Sequence, residues 1–209
     1  MEPGQPFRLS MRSAMSETTI NLADLHFLVA DESYYYTKVI QSIFHGFGVR
    51  RVLATHDAVS TLEVLIQSKI DLLICDTSLP PAGGLSVVRG IRRNPSCPFR
   101  TLPIMVMTTA ATQVVVAKAR DAGANMVIAK PVSPKALYQR LAWIAFSPRP
   151  FVDAGTYFGP DRRFKIEGFP NGVGRRAGDK PIEVGMETGP AMSQDEIDNL
   201  LSSTRSGQA

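Results

Sequence analysis

Cysteine is scarce: 209 residues contain two, Cys75 and Cys97, too few for a disulfide framework. Cys75 lies inside an apolar run, where a thiol packs as a small hydrophobe. No apolar run approaches the roughly 18 residues of a membrane span. The N-terminus also lacks the apolar stretch of a signal peptide. Together these absences make a soluble, cytoplasmic protein with no membrane association the expectation. The formal net charge of +4 averages over unlike regions and names no partner. With 44% hydrophobic and 20% charged residues, a packed core fits part of the chain only, leaving room for one ordinary domain plus appendages.

What is present begins after a polar segment, residues 1–22, that holds Pro3, Gly4 and Pro6 and is expected to be disordered. LHFLVA (25–30) is a short apolar run ending on Asp31-Glu32, and Ser33 can cap a following helix. Tyr36, Val39, Ile40, Ile43, Phe44 and Phe47 then recur at helical spacing until Gly46 and Gly48 close the segment. The alternation continues. VRRVLAT (49–55), DLLIC (71–75), LPIMVMTT (102–109) and MVIAK (126–130) read as strands. Helical patterns follow each: Val59 to Ile66, Leu85 to Ile91, Thr112 to Ala122 and Leu137 to Ala145. Five uniformly apolar strands alternating with five helices predict an α/β domain over 23–147, a doubly wound parallel sheet covered on both faces.

The third strand ends on Asp76, and a Pro- and Gly-rich turn follows. A carboxylate there belongs at the mouth of the sheet, where open α/β folds bind ligands. Polar residues stand at three other carboxyl ends: Asp31 and Glu32, Thr108 and Thr109, and Lys130. Each alone is an ordinary loop residue. Four such positions on one sheet edge are a candidate site. Three carboxylates repel unless a cation lies among them, and an oxygen-only set without His or Cys favours Mg²⁺. A carboxylate beside Mg²⁺ can attack a phosphoryl group, while metal and lysine neutralise the transferring oxygens.

On these residues, the segment from about Leu25 to Phe146 resembles a two-component receiver domain of the CheY type. The resemblance implies a flavodoxin-like strand order, 2-1-3-4-5, and a signalling role with no enzymatic output beyond self-phosphorylation and autodephosphorylation. It implies that Asp76 accepts phosphate from a histidine kinase or phosphotransfer protein. Asp31, Glu32, Asp76 and the Ser78 backbone carbonyl would hold Mg²⁺. Thr108 would be the switch hydroxyl, Lys130 the phosphate-pairing cation, and Lys130-Pro131 a cis bond. One position departs from the pattern. Where the family often has an aromatic ring three residues before the lysine, this chain has Val127. The usual coupling of threonine to ring is therefore in doubt, and phosphorylation is expected to act by drawing in the loop after Thr108. Thr109, where many relatives carry Ala or Gly, is expected to modify dephosphorylation.

Beyond Ser147 the composition changes. Residues 148–192 are rich in Pro, Gly and Arg, show no apolar period and read as a linker. Arg162, Arg163, Arg175 and Arg176 cluster there among aromatics and are candidate anion-binding residues. The segment is similar in composition to tails of CheY-like proteins that bind cyclic di-GMP; a linker packed partly on the receiver is the plainer reading. No helix-turn-helix pattern follows the receiver, so DNA is not an expected partner. In 193–205, Ser193 and Glu196 form a capping-box signature ahead of Ile197, Leu200 and Leu201. This stretch resembles the CheY-docking peptides of FliM and CheZ, which implies docking on a receiver face, its own or another copy's. A stand-alone response regulator, with a role in chemotaxis or motility, is the leading expectation. A cyclic di-GMP effector and a phosphate sink for a shared kinase are its alternatives.

Overall fold

Every residue of Leu72–Asp76 and Ile104–Thr108 is buried, which requires strands covered on both faces. The computed structural model describes residues 21–146 and 148–162. Its strands are β1 (His26–Ala30), β2 (Arg51–Thr55), β3 (Leu72–Asp76), β4 (Ile104–Thr108) and β5 (Met126–Ala129). Between and after them run α1 (Tyr34–Gly46), α2 (Ala58–Gln67), α3 (Gly84–Arg93), α4 (Gln113–Ala122) and α5 (Pro134–Phe146). All five strands are parallel, in the order β2-β1-β3-β4-β5. The expected doubly wound, flavodoxin-like sheet is therefore the fold. The expectations for residues 1–20 and for the docking helix at 193–205 lie outside the described residues.

Local chemistry sets the helix ends. Ser33, Asp57 and Thr112 cap α1, α2 and α4, each side chain accepting the amide three residues on. Gly123 closes α4 with φ of 96°, a left-handed conformation that favours glycine. Phe27 meets Phe44 edge to face at 5.0 Å, and Phe47 meets Tyr138 at 5.5 Å, so aromatic contacts tie α1 both to the sheet and to α5. No described helix is long and apolar enough to cross a membrane.

One glycine positions the site directly. A Cβ on Gly84 would lie 2.0 Å from the carbonyl oxygen of Asp76. The first turn of α3 therefore closes on the end of β3 only because that side chain is absent. Both Pro80-Pro81 and the expected Lys130-Pro131 bond are cis.

The structure continues past residue 147. Where a linker without elements was expected, β6 (Phe151–Asp153) and β7 (Phe158–Pro160) pair antiparallel as a hairpin. The α/β domain provides its seat. The Arg100 guanidinium lies 3.5 Å from the Phe158 ring centroid and that of Arg92 4.9 Å from Phe151. Arg149 donates to the Asn125 carbonyl at 2.5 Å. A Cβ on Gly159 would come within 2.9 Å of the Gly123 Cα, so two backbones touch there. Beneath the hairpin Arg92 is 1% exposed. It donates to the carbonyls of Gly123, Arg100 and Leu102 and to Asn125 Oδ1, at 2.5–3.1 Å. Burial pulls its guanidinium down to about 9, still charged at neutral pH.

Candidate phosphoryl-accepting site

Four of the residues singled out in the sequence meet at the carboxyl edge of the sheet. Asp76 ends β3, Asp31 follows β1, Thr108 ends β4 and Lys130 follows β5. Asp31, Asp76 and Thr108 are all buried. The Lys130 ammonium bridges the carboxylates, 2.5 Å from Asp31 Oδ2 and 2.6 Å from Asp76 Oδ1. The remaining carboxylate oxygens are also occupied. Asp31 Oδ1 accepts the Ser33 amide at 2.9 Å, and Asp76 Oδ2 accepts the Ser78 amide at 2.8 Å. Two buried negative charges are thus held 45 residues apart in sequence by one cation and two backbone donors.

Two opposed effects act on that ammonium. Burial lowers its pKa, but hydrogen bonds to Asp31 and Asp76 and their charge outweigh burial, and the net shift is upward. Lys130 therefore stays charged throughout the physiological range.

Thr108 is wired into the loop that follows it. Its hydroxyl oxygen accepts from the Thr77 hydroxyl at 3.1 Å and from the Ala110 amide at 3.2 Å. Thr109 is exposed. Val127 is fully buried inside β5, in register with Val106, where it packs as core.

Glu32 directly follows Asp31 at the same sheet edge. Its side chain is exposed, and no group of three His, Cys, Asp or Glu poised to hold a metal occurs among the described residues. The donor set still suits magnesium: two buried carboxylates on adjacent strands, a third within the following turn, and no nitrogen or sulfur ligand. A hard cation that binds through few carboxylates and keeps several waters fits it.

Three neighbours escaped the sequence reading. Thr77 holds the Thr108 hydroxyl; its one signal is its place directly after Asp76. Tyr36, read as part of an apolar helix stripe, lays its ring 4.3 Å from the Lys130 ammonium and accepts the Val132 amide at 3.1 Å. His56 Nδ1 lies 2.9 Å from the Asp31 carbonyl oxygen. Among the candidate anion-binding arginines, Arg162 pairs with Asp121 at 2.5 Å and stacks 4.1 Å from the Tyr157 ring. Arg163, Arg175 and Arg176, like Ile197, Leu200 and Leu201, lie outside the described residues.

Known proteins are similar to this chain. Chemotaxis protein CheY1 of Helicobacter pylori is 30% identical over 115 residues, 54% of this chain and 91% of its own length. The sensory/regulatory protein RpfC of Xanthomonas campestris is 27% identical over 132 residues, 63% of this chain; the match spans only 18% of that protein. Among solved structures, the receiver domain of the sensor histidine kinase PA1611 from Pseudomonas aeruginosa is 25% identical. It superimposes with a TM-score of 0.53 over 59% of this chain and 98% of its own, and carries a magnesium ion in its active-site cleft. Residues 27–142 match the response regulator receiver domain, and with the acidic pair, the lysine and the threonine all at one sheet edge, the chain belongs to that family.

Proposed function

We propose that this chain is a phospho-accepting response regulator of the cytoplasm. It takes a phosphoryl group from a histidine kinase or phosphotransfer protein onto Asp76 and signals through protein contacts in chemotaxis or motility. The observation that carries this reading is the Lys130 ammonium bridging the buried Asp31 and Asp76 carboxylates. A buried, pre-paired carboxylate at a sheet mouth is a nucleophile with its counter-cation already in place.

In the transfer, an Asp76 carboxylate oxygen attacks the phosphorus of the donor phosphohistidine. The P–N bond breaks, the imidazole nitrogen leaves with its electron pair, and an aspartyl phosphate results. Asp31, Glu32, Asp76 and the Ser78 carbonyl would hold Mg²⁺, which when bound supplies charge to offset the carboxylates and the transferring oxygens. Lys130 pairs with the new phosphoryl oxygens. The Thr108 hydroxyl turns to donate to them, which releases the Ala110 amide and draws in the loop after β4. With Val127 in the core, no ring need follow. The segment with Ile197, Leu200 and Leu201 docks on the α4–α5 face of this receiver or of another copy.

Radiolabelled phosphotransfer from the kinases and phosphotransfer proteins of the source cell tests the reading. Label should enter the wild type in a magnesium-dependent manner and be absent from Asp76→Asn. Chains ending at residue 192 should accept label at the wild-type rate yet lose their partner. Labelling of Asp76→Asn at the wild-type level would refute the proposal.

A further inference from the structure

The opposite edge of the sheet holds a cavity of about 660 Å³ far from Asp76. Basic side chains reach it from three separate places in the chain: His26 at the start of β1, His45, Arg50 and Arg51 around the α1–β2 connection, and Lys69 between α2 and β3, of which Arg50, Arg51 and Lys69 are cations. Among the described residues no carboxylate lines it. The nearby Asp71 is engaged, its Oδ2 accepting the His26 backbone amide at 2.8 Å. Arg100 pairs with Asp153, Arg162 with Asp121, and Lys130 with Asp31 and Asp76. Among the described residues, by contrast, no ion pair involves Arg50, Arg51 or Lys69. Like charges gathered in a concavity focus a positive field on one spot.

The rest of the lining adds to the rim of charge. Val52, Leu53 and Ile70 give the cavity apolar wall, and Leu53 is 42% exposed although it belongs to a strand of the sheet. Both imidazoles are fixed by backbone: His26 Nδ1 lies 3.0 Å from the Lys69 carbonyl and His45 Nδ1 2.9 Å from the Val49 carbonyl. A carbonyl only accepts, so each Nδ1 carries the proton. Each Nε2 is left as an acceptor with no partner among the described residues. Arginine forks suit phosphate oxygens, an apolar wall suits a flat ring, and imidazole acceptors suit hydroxyl or amino groups. The volume lies within the roughly 300–1,000 Å³ of small-molecule sites.

We propose that this cavity binds a phosphate ester of nucleotide size, at a site separate from the phosphoryl-accepting one. The two sites share β1, whose five residues hold their edges about 17 Å apart, so they can be occupied together.

Titration of the full chain with ATP and with inorganic pyrophosphate, in chelator to silence magnesium-dependent chemistry at Asp76, tests the proposal by calorimetry and amide chemical-shift mapping. Both should bind saturably, ATP the more tightly, with shifts at His26, around the α1–β2 connection and at Lys69. In Arg50→Ala/Arg51→Ala, ATP affinity should fall at least about tenfold, with unchanged circular dichroism and a wild-type rate of Asp76 labelling by acetyl phosphate. Should that variant fail to fold, Lys69→Gln, an exposed loop change, should weaken pyrophosphate binding severalfold. Absence of saturable binding, shifts centred on the Asp76 edge, or affinity unchanged in the variants would overturn the site. Pyrophosphate binding as tightly as ATP would overturn the assignment to a nucleotide-sized ester.

Discussion

At the carboxyl edge of the sheet one ammonium, Lys130, is gripped by two carboxylates. At the amino edge one guanidinium, Arg92, is gripped by four neutral oxygens and covered by an aromatic ring. Both cations are largely shielded from water, and the difference lies in what holds them. Carboxylates give the first site a charge balance that a phosphoryl group can disturb. Carbonyls give the second a fixed geometry that no change of charge at Asp76 reaches. Lysine, a compact ammonium on a flexible stem, suits a partner that changes; arginine, a planar fork, suits several fixed acceptors at once. The sheet thus keeps a responsive end and a static end.

The comparison can be broken most directly by removing each cation. Lys130→Met leaves two buried carboxylates facing each other, and urea unfolding should show a loss of about 3–5 kcal/mol. Adding Asp76→Asn to that variant should restore part of the loss. Arg92→Met strands neutral oxygens instead and should cost less, about 3 kcal/mol, while labelling at Asp76 persists. A larger loss for Arg92→Met than for Lys130→Met would contradict the distinction.

A smaller effect sharpens the account of the static end. Phe158→Ala removes the ring under Arg100 and the contact with Phe151 at 5.5 Å. It should destabilise by about 1–2 kcal/mol and speed amide hydrogen exchange in the hairpin, with no change in phosphorylation.

The two thiols give the mildest probe, one at each end. Burial pushes the Cys75 thiol, beside Asp76, up to about 12, whereas half-buried Cys97 near Arg100 is raised less far. Iodoacetamide at pH 8 should therefore modify Cys97 and spare Cys75 until the chain is unfolded. The sign for stability follows. A folded value above the ordinary 9.0 means the Cys75 contribution is complete at neutral pH and is lost as pH rises from about 9 toward 12.

These two ends were not equally legible in the sequence. The strands declared themselves through uniformly apolar runs, and Asp31, Asp76, Thr108 and Lys130 because polar residues closing such runs must lie on one edge of a parallel sheet. Glu32 shows the limit: Asp31 is buried and Glu32 exposed, and nothing in an acidic pair says in advance which side chain is the buried one. Arg92 gave no signal, since a charged residue on a helix reads as surface until its four acceptors are assembled from two other segments. The hairpin was hidden for the same reason. Its strands are three residues each, too short for alternation, and they are held by arginines 50 or more positions earlier.

The Gly123–Gly159 contact and the Arg162–Asp121 pair also decide where the chain departs. A receiver that ended with α5 would send its following segment away from that helix. Here the last described residue is fastened to the end of α4. A domain swap or fusion cut after α5 would strip Arg92 and Arg100 of their cover, so the functional joint for grafting this receiver lies after Arg162, and whatever is joined there rides on α4.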